Sequence, residues 1–151
     1  MIRDDIKAAL VTAMKSGDKA RTGTIRLIQA ALKNRDIELR GASSGPSEDD
    51  VLVTEVLQKM VKQRRESIAM YEAGGRAELA AAERAEVGVI EGFLPRQMDE
   101  AELAAAIEAI VAETGASSVK DMGRVMAALK DRHAAQLDMS RASALVKARL
   151  S

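Results

Sequence analysis

LQKMVKQRRESIAMYEAGGRAELAAAERAEVGVIEGFL, Leu57–Leu94, decides the fold. Plotted as a helix at about 100° per residue, its first half puts Leu57, Met60, Val61, Ile68 and Tyr71 on one side. Lys59, Lys62 and Glu66 fall opposite. Gly74 and Gly75 then break the pattern, and glycine is a strong punctuator of local structure. Beyond them Leu79, Val87, Ile90 and Leu94 form a second apolar stripe. Two amphipathic helices joined by a Gly-Gly turn read as an antiparallel hairpin.

Both stripes carry charge where an apolar residue belongs. Arg64 lies in the middle of the first, Glu83 and Glu86 inside the second. If the helices fold back about Gly74–Gly75, Arg64 comes level with residue 85, between the two acids. A guanidinium in an apolar stripe can bind a ligand, act in catalysis or form half of a structural ion pair. Two acids in the facing stripe favour an internal ion pair or triad of Arg64, Glu83 and Glu86. Such a group fixes register more than it adds stability.

Working outward from the hairpin, helix ends are well marked. Gly17 and Asp18 read as a stop and a fresh start. The stretch RGASSGPSEDD, with Gly41, Gly45 and Pro46, reads as a loop, after which Ser47 caps a helix with Asp50 as a box-like partner. Pro95 ends the hairpin, and Asp99 with Glu102 restarts the chain. Gly115 is a stop, Ser118 with Asp121 a start, and Asp138 or Ser140 the last cap. No segment alternates like a strand. The pattern predicts an all-α protein with helices near 2–16, 19–40, 47–73, 76–93, 99–113, 118–133 and 139–150. The composition break at FLPRQMDE predicts two domains, an N-terminal helical hairpin domain over 1–94 and a small C-terminal three-helix domain over 95–151.

Composition suits this reading. The chain has 151 residues, 47% of them hydrophobic, and only 1% aromatic. The core must therefore be Leu, Ile, Val, Met and Ala, which with Glu, Lys and Arg include the strongest helix formers. There is no cysteine. That excludes disulfides and thiolate chemistry, and it suits a reducing compartment. MIRDDIKAAL carries acids within its first five residues and lacks the apolar core of a secretory signal. No stretch approaches the ~18 apolar residues of a membrane span. Cytoplasmic location and no membrane partner are the expectations.

Catalytic patterns are missing. The single histidine, His133, sits near a helix end and reads as solvated. No Walker loop, dinucleotide fingerprint or metalloprotease motif occurs, so no catalytic residue, metal or cofactor is expected. Net charge is zero, with 23 basic and 23 acidic residues, yet it is unevenly spread. Residues 118–151 hold seven basic residues against three acidic, a balance of +4. Residues 95–117 hold one against five, a balance of −4. With only Tyr71 and Phe93 as aromatics, stacking on bases has little to work with. RNA binding would have to read backbone and shape through Lys and Arg.

RLIQAALKNRDIELR, LQKMVKQRRESIAMYEAGGRAELAAAE, FLPRQM and DMGRVMAALK resemble, in order and spacing, the GatB/YqeY family, and the short free-standing YqeY-like proteins best. The resemblance runs from about Arg21 to Leu150. It implies an all-helical fold and kinship with the tail of the B subunit of the glutamine-dependent aminoacyl-tRNA amidotransferase. In that enzyme the tail grips tRNA, and other domains carry the ATP-dependent and glutaminase chemistry. The family label is a carbon–nitrogen ligase using glutamine as amide donor, but nothing in these 151 residues resembles the catalytic cradle. The family's Ala-Asp-Gly-Lys-like turn before the last helix is here Leu137, Asp138, Met139 and Ser140, so its lysine is missing.

The resemblance implies an accessory tRNA-binding protein, itself non-catalytic. Its partners would be tRNA and an amidotransferase or aminoacyl-tRNA synthetase. Together with the +4 segment, it makes Arg124, Lys130, Arg141 and Lys147 the nucleic-acid-binding candidates. The competing reading is a helical protein-interaction module without nucleic-acid binding, docking through apolar ends such as VGVIEGFL.

Overall fold

A computed structural model describes residues 1–40, 48–133 and 136–151. The helices are α1 (Ile2–Ser16), α2 (Lys19–Leu39), α3 (Asp49–Ala73), α4 (Ala77–Glu91), α5 (Glu100–Thr114), α6 (Met122–His133) and α7 (Met139–Leu150), with a 3-10 turn, Val119–Asp121, leading into α6. Among the described residues there is no strand, and the protein is all-α.

Short-range chemistry sets most helix ends. Gly17 closes α1 in the left-handed region at φ +72, where a Cβ would be strained. Asp18 accepts from the backbone N–H of Arg21 at 3.0 Å, and Asp99 from that of Glu102 at 2.7 Å. Asp121 accepts from the backbone N–H groups of Ser117 and Ser118. Asp138 caps α7 by accepting from Ser140 at 2.9 Å and Arg141 at 3.3 Å. Each satisfies donors that a helix start leaves without an intrahelical partner.

Two starts and one end differ from the sequence expectation. Ser47 and the loop glycines lie outside the described residues; α3 begins at Asp49, after Glu48. Asp50 serves another helix, its carboxylate accepting from the backbone N–H of Ile2 at 3.0 Å. α4 stops at Glu91 because Phe93 and Leu94 donate to Ile90 and Glu91, three residues back, which tightens the last turn. α6 is reached through the 3-10 turn rather than from a helical residue 118.

The chain forms two compact units, Met1–Leu94 and Pro95–Ser151. In the first, four helices bury Ile6, Ile25, Ile28, Val53, Leu57 and Ile90. Arg3 ties the start of α1 to two neighbours, reaching Asp36 at 3.1 Å and Asp49 at 2.9 Å. The hydrogen bond from Arg3 holds the Asp49 carboxyl below its usual range and raises Arg3 in turn. Arg21 lies over the Phe93 ring, 5.8 Å from its centroid, within cation–π range.

VGVIEGFL packs in part against this core. Ile90 is fully buried, and Val87, Val89, Phe93 and Leu94 pack against the same cluster. The buried region also ends short of the hairpin tip. Between Val61 and Ala80 no residue is buried, so α3 and α4 continue past the core as a two-helix arm. In the second unit Leu103, Ile107, Ile110, Val125, Leu129 and Val146 form a separate core. Leu137, in the turn that departs from the family pattern, is 1% exposed and belongs to that core.

Candidate nucleic-acid interface

The candidate cations of the second unit stand on α6 and α7. Arg124 donates to Asp121 at 2.6 Å. That carboxyl lies below its usual range, through the Ser117 N–H first and Arg124 second. Arg141 reaches Glu100 at 4.0 Å. Lys130 and Lys147 are exposed. Among the described residues neither is recorded in an ion pair, and the same holds for Lys120. Arg124 and Lys130 are six residues apart, as are Arg141 and Lys147. At 100° per residue each pair is separated by about 120° around its helix. The four candidates therefore do not share one face of α6 or of α7.

The +4 and −4 segments meet in space. Arg132 on α6 donates to Glu113 on α5 at 2.6 Å. Arg149 on α7 pairs with Glu108 on α5. The Arg132 hydrogen bond pulls Glu113 below its usual range, and Arg132 and Arg149 are raised by their partners. The arginines of α6 and α7 are thus largely answered by the acids of α5, leaving lysines as the open cations.

In the first unit Arg64 Nε donates to Glu86 Oε2 at 2.8 Å, and its Nη1 reaches the Met60 carbonyl at 3.4 Å. The arginine side chain is 15% exposed and that of Glu86 32%. Glu83 is half-buried, and no contact with Arg64 is recorded for it among the described residues; the arrangement is a pair, not a triad. Arg65 with Glu91 at 2.7 Å, and Glu72 with Arg84, bridge the same two helices. These bridges pin the register of the arm.

His133 is half-buried at the end of α6. Among the described residues no three His, Cys, Asp or Glu side chains are grouped to hold a metal. Among the described residues no helix is long and apolar enough to cross a membrane. The cations that regional charge totals overlook lie along α2 and at its C-cap. Lys19, Arg26, Lys33 and Arg40 recur every seven residues, a spacing that keeps them on one side of a helix.

Residues 3–150 match the family described as Yqey-like protein. The chain belongs to this family. Similar curated proteins carry the name Altered inheritance of mitochondria protein 41, mitochondrial. The one from Meyerozyma guilliermondii is 34% identical over 89 residues, covering 59% of this chain and 44% of the relative. Its Saccharomyces cerevisiae counterpart is 30% identical over 89 residues, 59% and 46%. That of Lachancea thermotolerans is 27% identical over 111 residues, 72% and 57%. The match spans less than half the length of the first two relatives. Their names place these YqeY-like relatives in mitochondria, which overturns the cytoplasmic expectation. The absence of cysteine and of a signal-like start carried that expectation, and neither observation distinguishes one reducing compartment from another.

Proposed function

We propose that this YqeY-like protein is a non-catalytic tRNA-binding accessory of tRNA-dependent amidation, the process whose carbon–nitrogen ligase activity gives the family its label. The observation that carries the reading is the set of exposed lysines, Lys120, Lys130 and Lys147, standing open in a unit whose arginines are largely paired. Lysines free of carboxylates can exchange counterions for phosphates, the sequence-independent term in nucleic-acid affinity. The resemblance of the chain to the amidotransferase tail supplies the kind of RNA. Two aromatics leave little for base stacking, so recognition falls to backbone and shape.

One observation favours the interaction-module alternative. The α5 acids cancel the basic excess of α6 and α7, so the second unit carries little long-range positive field. Titration of the full chain against total tRNA at several salt concentrations separates the two readings. The tRNA reading expects log affinity to fall linearly with log salt, at about −0.7 to −0.9 per phosphate contacted. Lys130→Glu with Lys147→Glu weakens that binding while helicity by circular dichroism stays unchanged. Wild-type protein without salt-sensitive binding leaves the interaction module as the reading.

A further inference from the structure

The outer seam between α1 and α2 is an open basic surface of the first unit. α2 presents Lys19, Arg26 and Lys33, and its C-cap residue is Arg40, all exposed. At 1.5 Å per residue they stand roughly 10 Å apart and span about 32 Å. The seven-residue repeat drifts about 20° per step, so the four remain within an arc of about 60°. None of them is recorded in an ion pair among the described residues. Two hollows lie along the same seam. One, of about 200 Å³, is lined by Arg3, Lys7, Gln29, Lys33 and Asp36. The other, of about 350 Å³, is lined by Met14, Lys19, Thr22, Gly23 and Arg26. Asp36 is the carboxylate lining the first hollow, and it is already held by Arg3 at 3.1 Å.

We propose that this seam is an RNA phosphate-backbone site, distinct from the lysines of the second unit. Four cations strung over about 32 Å suit an extended polyanion better than one small anion. Thr22 and Gln29, half-buried between the cations, offer neutral donors and acceptors to sugar and phosphate oxygens. Gly23 has no heavy atom within 4 Å of the position its Cβ would take, so a strand can approach the helix backbone there. The identity of the polyanion as RNA rests on the tRNA reading above; the location of the site does not.

The test uses the full chain, fluorescently labelled tRNA and a salt series, comparing wild type with the triple variant Lys19→Gln, Arg26→Gln, Lys33→Gln. Gln is close to Lys and Arg in helix propensity, so helicity should hold. Loss of three phosphate contacts at 0.7 to 0.9 each makes the salt slope shallower by roughly 2 to 2.7. Affinity at low salt falls about tenfold or more, and Lys19→Arg with Lys33→Arg retains the wild-type slope. If wild type binds and the triple variant keeps its slope, the seam is not the site, while the tRNA reading survives whenever Lys130→Glu with Lys147→Glu weakens binding. If wild type binds no tRNA, that reading fails and takes the RNA assignment with it. Binding of wild type to anionic phospholipid vesicles or an acidic helical peptide instead of tRNA, lost in the triple variant, likewise overturns RNA as the occupant. Should the triple variant lose helicity, the three single variants decide, each expected to shallow the slope by about one contact.

Discussion

Arg64 sits where the four-helix core of the first unit gives way to the two-helix arm. Val61 is 6% exposed, and no residue from there to Ala80 is buried. A hydrocarbon side chain at this boundary would meet core on one side and solvent on the other. An arginine solves this by packing its stem and turning its head group to Glu86 at 2.8 Å. The pair is neither fully desolvated nor fully wet, so its worth falls between exposed pairs at under about 1 kcal/mol and buried ones at roughly 3–5 kcal/mol. Glu86→Ala should therefore cost about 1–2 kcal/mol in urea denaturation. Glu83→Ala, away from the arginine, should stay within about 0.5 kcal/mol. Equal effects at both positions would return the triad. A double-mutant cycle of Arg64→Ala with Glu86→Ala measures the coupling directly.

At the scale of elements, one substitution type should act with opposite signs in two places. Gly75, between α3 and α4, holds φ +72. A side chain there is forced into the left-handed region, at roughly 1–2 kcal/mol. Gly88 lies inside α4 with open space where its Cβ would stand, and Ala there should stabilise by about 0.8–1 kcal/mol. Gly75→Ala lowering the urea midpoint while Gly88→Ala raises it is the expected outcome; a loss at both sites would show that α4 cannot accept a methyl group on that face. The helices themselves were legible because their ends are local devices: Asp18, Asp99, Asp138, Gly17 and Gly115 act within four residues of themselves. Asp50 was not legible, because its partner is the Ile2 N–H, 48 residues away. The binding surface was least legible. Charge counted along the chain separated the acids of α5 from the arginines of α6 and α7, whereas the fold brings them to Glu113–Arg132 and Glu108–Arg149. The stripe from Lys19 to Arg40 is written in the sequence at a spacing of seven. Whether carboxylates fill it is a tertiary fact.

Across the whole molecule, zero net charge is kept largely by paired carboxylates, and acid undoes the pairing. Asp49 lies below its ordinary value of 3.8 because Arg3 hydrogen-bonds it, and Asp121 below 3.8 through the Ser117 N–H and Arg124. Glu102 and Glu113 lie below 4.5, held by Arg96 and Arg132. A carboxylate whose folded pKa is depressed contributes stability above its unfolded pKa and loses it as pH falls through the folded one. The sign is therefore fixed: stability is flat above about pH 5.5 and declines from about pH 4.5 downward. Both units should take part, Asp49 acting in the first and Glu102, Glu113 and Asp121 in the second. The urea midpoint of wild type should fall between pH 5 and pH 3. Asp49→Asn should lower the midpoint at pH 6 and flatten part of that decline, since it removes one of the titrating groups. A midpoint that rises on acidification would reverse the sign assigned to these pairs.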